Sequence, residues 1–216
     1  MKNYKIMNIN TPIDQKYIAE FIRLYQDAYG NDPIRREGML DPKTGKNYSF
    51  QEFEQLKISQ DVSDFIECYP DKDVLTMLEI FIQKQNRLDV AIQKENKSDE
   101  LYGIISGYND SLQQLNTEKL KFDDQQFNSI LDKMNLQKTD TVNYLAELFI
   151  ESASQGKWFW KELLKNYIDA QTGPILTRTT QLKPNPYRMF EKNGFKKIYD
   201  YPESDTRKRG LRFLDK

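Results

Sequence analysis

The chain has 216 residues, and its 32 Lys and Arg against 33 Asp and Glu leave a formal net charge of −1. That balance gives no chain-wide pull toward nucleic acid or an anionic membrane, since both need a basic excess. There is no histidine and one cysteine, Cys68, which excludes Ser-His-Asp and Cys-His triads, imidazole acid–base chemistry, His-liganded metal and an intrachain disulfide.

The length suits one domain able to bury a sizeable core without staples. The first residues carry no apolar signal-peptide core, and the most apolar stretch, 74–82, is broken by Thr76 and Glu79. The expectation is a soluble cytoplasmic protein.

Thr11-Pro12 reads as an N-cap followed by proline at the first helical position, and Ile18, Phe21, Ile22 and Tyr25 form one apolar stripe behind it. Gly30-Asn31-Asp32-Pro33 ends that helix, and a loop rich in turn residues follows, including Asp41-Pro42-Lys43-Thr44-Gly45. Ser49 with Glu52 reads as a capping box for a second helix, with Phe53, Leu56, Phe65 and Ile66 on its apolar side and a break near Asp61. Residues 72–85 read as a further helix. The period then shortens: 88–93 and 101–108 read as strands of an antiparallel hairpin across a polar turn. A polar insert at about 109–142 holds one helix, with Phe127, Ile130, Leu131 and Met134 on one face. Then follow a strand (143–150), a periodic helix (156–170), a strand (174–179), a short helix (186–193) and two strands (195–201, 210–214). Helices first, then a hairpin, then alternating elements predict a mixed α/β sheet covered by helices in a single domain.

The nine glycines spell neither a dinucleotide fingerprint nor a Walker loop. Ser154 to Lys157 and Lys43-Thr44-Gly45 spell two motifs of penicillin-binding enzymes in the wrong chain order. More informative is the strand 144–150, which runs through Ser152-Ala153-Ser154 and Gln155-Gly156-Lys157 into a helix. A helix N-terminus reached this way offers unpaired amides and a favourable dipole to a pyrophosphate.

Two blocks resemble the GNAT acyltransferase superfamily, which moves acyl groups from acyl-CoA to amines. Glu147-Leu148-Phe149-Ile150 followed by Gln155-Gly156-Lys157 is similar to that family's fourth strand and pyrophosphate loop. Tyr187-Arg188-Met189-Phe190-Glu191-Lys192-Asn193-Gly194-Phe195 is similar to its last helix and the turn beyond. The order and spacing of the blocks also fit. The resemblance implies a splayed mixed sheet with acetyl-CoA between the fourth and fifth strands, and no metal. It also implies an acceptor that is a primary amine on a small molecule or peptide, attacking directly in a ternary complex. Carried over residue by residue, it implies pyrophosphate binding by Gln155, Gly156, Lys157 and Trp158, and thioester binding by the Phe149 and Ile150 amides. Glu147 would be the base and Tyr187 the acid.

The sequence departs from the family at two places. Trp158 and Trp160 stand where the loop carries small residues, and Phe190 stands where many members have the tyrosine that protonates the departing thiolate. These departures leave a second expectation open, a GNAT-fold binding or regulatory module without transfer activity. Trp160 reads as a core anchor of its helix. Residues 183–216 hold ten Lys and Arg against five Asp and Glu, a basic tail that could steer CoA. Asp123, Asp124 and Asp132 in the insert suggest an acidic wall for a cationic amine.

Overall fold

In a computed structural model, residues 4–9, 15–29, 38–41, 43–44, 46–68, 87–94, 100–151, 158–180, 184–202 and 209–216 are described. The predicted helix over 72–85, the Thr11-Pro12 cap, the turn at 95–99 and the loop 152–157 lie outside them. Ten strands and six helices are present among the described residues. They are β1 (Tyr4–Ile9), α1 (Gln15–Tyr29), β2 (Gly38–Leu40), β3 (Asn47–Ser49), α2 (Phe50–Leu56), β4 (Ile66–Cys68), β5 (Arg87–Lys94) and β6 (Leu101–Ser111), then α3 (Leu112–Leu115). After a π-helical turn at Asn116–Leu120 come α4 (Asp124–Met134), β7 (Thr141–Ile150), α5 (Phe159–Ala170), β8 (Ile175–Thr180), α6 (Pro184–Lys192), β9 (Lys196–Asp200) and β10 (Arg209–Leu214). Seven strands form a sheet of order β1-β5-β6-β7-β8-β10-β9, and β3-β2-β4 form a small separate one. The predicted mixed α/β class holds: β7 and β8 are parallel, while β8–β10 and β10–β9 are antiparallel.

The differences from the sequence reading lie in the first third. The chain opens on a strand, β1, where a polar lead was expected. The loop after α1 contains the β2–β3 hairpin, turned by Asp41, whose carboxylate accepts from the Lys43 N–H and the Thr44 hydroxyl. The second helix stops at Leu56, and Ile66 belongs to β4, not to that helix. Three-residue strands carry too little alternation to be read from sequence.

The described chain forms two compact units. One comprises residues 1–83, 90–104 and 148–163. Here Phe21, Leu24 and Tyr25 of α1 are buried, with Ile22 only half-buried. The Phe149 ring, fully buried, meets Phe21 and Tyr25 edge-on at 5.3 and 4.9 Å. Phe159 packs between Tyr102, stacked at 4.8 Å, and Tyr4 at 5.7 Å.

The other unit comprises residues 84–89, 105–147 and 164–216. Its α4 has a local stop at each end. Asp123 and Gln126 complete a reciprocal capping box, Asn135 closes the helix in the left-handed conformation, and Phe127, Ile130, Leu131 and Met134 are all buried. The end of α6 has an equally local cause. Gly194 adopts φ +86°, its N–H donates to Glu191 O at 3.0 Å, and the Phe195 N–H donates to Phe190 O at 3.1 Å. This is a Schellman stop, and the Phe190 and Phe195 rings make its hydrophobic contact at 5.1 Å.

Strand β7 is irregular. A Cβ placed on Gly103 of β6 would lie 2.6 Å from the Phe149 carbonyl, and one on Gly107 would lie 2.6 Å from that of Tyr144. Four steps along β6 thus answer five along β7, so β7 carries one extra residue, a bulge, between Tyr144 and Phe149. The hydrogen bonds agree. Asn143 N–H donates to Pro174 O, on the β8 side, whereas Glu151 N–H donates to Tyr102 O, on the β6 side. Two residues of equal parity in an unbroken strand would point the same way.

Gly107 also leaves room for the Tyr167 hydroxyl, 1.9 Å from where its Cβ would be. Gly107→Ala should therefore cost about 1–3 kcal/mol or more in urea unfolding, as overpacking does. Gly173→Ala, whose nearest neighbour would be 3.7 Å away, should be close to neutral.

Candidate functional site

The parallel ladder between β7 and β8 has three residue pairs, Asn143↔Ile175, Tyr144↔Leu176 and Leu145↔Thr177, and extends no further among the described residues. At its last pair the buried Thr177 hydroxyl donates to Leu145 O at 2.9 Å. β8 continues as a partner of β10 alone, while β7 enters its bulge. The burial pattern changes at the same point, from four consecutive buried residues (142–145) to half-buried Ala146, Glu147 and Leu148.

Beyond the bulge the backbone direction is set. The Phe149 carbonyl lies against Gly103 of β6. A trans peptide sends the next N–H the opposite way, so the Ile150 amide points away from β6. Of the two amides named from sequence, Ile150 is the one so directed, and Phe149 contributes its ring to the core. Just past the strand, Arg23 of α1 binds Glu151 at 3.1 Å, Glu20 through two 2.8 Å contacts and Leu101 O at 2.9 Å. The Leu101 N–H donates in turn to Glu20. Burial pulls the Glu20 pKa up, but the Arg23 and Leu101 hydrogen bonds outweigh it and hold the carboxyl below its usual value. This cluster fixes the end of β7, and nothing in the sequence marked Arg23 for it.

Glu147 belongs to a polar group in its own unit. Arg178 of β8, one residue past the ladder, donates through Nη1 to Lys119 O at 2.7 Å and hydrogen-bonds Tyr201. Burial alone would lower the Arg178 pKa, and Tyr144, Tyr201 and the Glu147 carboxylate raise it above its ordinary value. The Lys119 carbonyl comes from the end of the π-helical turn, where a helix leaves acceptors unpaired. The adjoining Asn116 side chain clamps Phe122 through both its backbone N–H and its carbonyl, at 2.9 and 3.0 Å. Around this group lies a cavity of about 410 Å³ with Phe122, Tyr199 and Tyr201 as aromatic walls and Lys119, Lys121, Arg178 and Arg209 among its lining. The Arg209 guanidinium lies over the Tyr201 ring at 5.1 Å.

The other sequence-named residues are placed as follows. Gln155, Gly156 and Lys157 fall outside the described residues. Trp158 is 38% exposed, its indole against Tyr4 and Phe159 at 4.8 and 5.1 Å. Trp160, expected as a core anchor, is half-buried with the Lys161 ammonium over its ring, and Phe159 takes the anchoring role. Tyr187 lies in α6, one turn before Phe190. Phe190 is buried, committed to the helix stop. Of the three insert aspartates, Asp123 caps α4, Asp124 faces Lys138 at 3.6 Å and Asp132 is exposed, and none of them lines the cavity. Arg178 and Tyr201 were missed, because only the strand order β7-β8-β10-β9 brings them to one cavity.

Comparison with solved structures decides the fold. A Desulfovibrio desulfuricans protein assigned to the GNAT family of acetyltransferases matches over 98% of both chains at 9% identity, with a TM-score of 0.54. A chain of the NatC complex, solved with Gag peptide and CoA, matches over 99% of both at 11% identity and 0.55. The chain has the GNAT fold. An acetyltransferase of Streptococcus agalactiae matches over 100% of both chains at 11% identity and 0.51. No protein-family model matches the sequence, and no curated protein matches it either. In GNAT terms β7 and β8 are the fourth and fifth strands, and their short ladder is the expected splay. Among the described residues there is no His, Cys, Asp and Glu cluster suited to a metal, and no helix long and apolar enough to cross a membrane.

The site has a spectroscopic signature. Burial pushes the Tyr201 phenol up to about 12, with Arg178 pulling it back, and burial pushes Tyr108 up further. The native state favours neutral phenols, so this stability is intact below about pH 10 and declines as the pH rises toward 12. Absorbance titration of tyrosinate should show late-ionising tyrosines in the native protein, and Tyr201→Phe should remove the one near 12. An unchanged late phase in that variant would place Tyr201 in solvent.

Proposed function

We propose that this chain is an acyl-CoA-dependent N-acetyltransferase, with acetyl-CoA as donor and an amine as acceptor. The observation that carries this reading is the ladder that stops after Leu145↔Thr177, with β7 bulging beyond it, in a chain that matches GNAT acetyltransferases along its whole length.

On this reading the outward Ile150 N–H receives the thioester oxygen as it gains negative charge, a backbone donor that needs no reorganisation. Phe149 holds that amide in place through its packing. The amine nitrogen attacks the thioester carbon, the C–N bond forms, and the C–S bond breaks. Glu147, on the bulge, takes the proton from the attacking amine directly or through water. Tyr187 returns a proton to the departing thiolate, since Phe190 has none to give. Gln155, Gly156 and Lys157, with Trp158 at the entry to α5, hold the pyrophosphate by backbone amides and the Lys157 charge. Cys68 takes no part, and transfer is direct in a ternary complex.

The commitment of Phe190 to packing favours a second reading, a GNAT-fold module that binds a ligand without transfer. One pair of measurements separates them. Acetyl-CoA at a hundredfold excess over its Kd should raise the melting temperature by about 5–10 °C for a chain of this size. Thiol release with an amine panel should follow. Stabilisation without release supports the module, and no stabilisation removes both the donor and the transfer. Glu147→Gln should lower kcat by on the order of a hundredfold and flatten the rise of rate with pH. An unchanged pH profile would remove Glu147 as the base.

A further inference from the structure

The cavity beside Arg178 has a chemistry that the fold does not prescribe. Four of its lining residues are cationic, Lys119, Lys121, Arg178 and Arg209, and none of its described lining residues is a carboxylate. A volume of about 410 Å³ lies within the range of small-ligand sites. Its aromatic wall is rigid: Phe122 meets Tyr199 at 4.8 Å and Tyr201 at 5.1 Å, and Tyr199 meets Tyr201 at 5.7 Å. Arg178 is the best-organised of the cations. Lys119 O and Tyr201 are its hydrogen-bond partners among the described residues, and a guanidinium fork carries more donors than these occupy. Those donors match a carboxylate or phosphate in pairs. The Lys121 ammonium donates to Thr117 O, and an ammonium group placed here would still meet the Arg178 guanidinium within a basic lining.

We infer that this cavity is an anion-recognition site, and that the acceptor is an amine bearing a carboxylate or phosphate, its anionic end held by Arg178 and Arg209 between the tyrosines. The Glu147 carboxylate is one of the charges that raise the Arg178 pKa. The inference rests on the transferase reading for the amine's fate, and on the cavity alone for the anion.

The test uses the full chain with four probes: β-alanine, its neutral amide, O-phosphoethanolamine and propylamine. Binding is read by calorimetry without acetyl-CoA, and transfer by thiol release with it. At least one anionic probe should bind and react roughly ten- to a hundredfold better than the neutral-tailed amines, the worth of a charge-assisted hydrogen bond. Whichever of β-alanine and phosphoethanolamine leads identifies carboxylate or phosphate. Arg178→Gln should erase the preference by raising KM for the anionic amine while KM for acetyl-CoA stays unchanged. Arg209→Gln should reduce the preference without touching the Lys119 contact, and serves where Arg178→Gln fails to fold. Equal or better use of propylamine overturns the inference. So does a chain that binds acetyl-CoA and neither anionic probe at millimolar concentration, or variants that weaken acetyl-CoA instead, which would assign the cavity to the donor. Arg178-dependent binding of an anionic probe by a chain that does not bind acetyl-CoA leaves the anion site standing and removes the transferase reading.

Discussion

The geometry of β7 depends on a conflict between its two neighbours. On the β8 side, Asn143 to Leu145 pair in parallel, and on the β6 side Glu151 is held by Tyr102. A strand of strict period two cannot satisfy both, and the extra residue between Tyr144 and Phe149 resolves the mismatch. Two consequences follow. The run of buried residues ends at Leu145, with Ala146, Glu147 and Leu148 half-buried, and the Ile150 N–H is turned away from β6. In its own unit Leu145 O accepts from the Thr177 hydroxyl, and in the other Glu151 binds Arg23.

What could be read from sequence was whatever has a local cause. The apolar face of α4 and the Asn193-Gly194-Phe195 turn each depend on residues within a turn or two, and each is found in the structure. So is the strand–helix order of the second half, and β5 and β6 are neighbours in the sheet. The β2–β3 hairpin and β1 were missed because they are short or polar. The bulge left no mark in the sequence of β7, since it arises from pairing on both edges. Glu147 was singled out by type and position, whereas Arg178 and Tyr201 acquire meaning only from the strand order β7-β8-β10-β9.

The two departures from the GNAT pattern now have physical accounts of different kinds. Phe190 is explained by its place in the helix stop, where its ring meets Phe195 and a phenol would gain nothing. Trp158 sits against Tyr4 with over a third of its surface exposed, so the indole is not a core residue. The acidic insert also changes meaning. Its aspartates serve helix capping and a surface ion pair, while its backbone carbonyl at Lys119 orients a buried-edge arginine.

If β7 past its last β8 partner receives the acyl donor, acetyl-CoA should slow hydrogen exchange at the Ile150 amide, read residue by residue by NMR, and leave the paired amides of 143–145 unchanged. Bound acetyl-CoA with no change at Ile150 would mean that the donor does not rest on this strand.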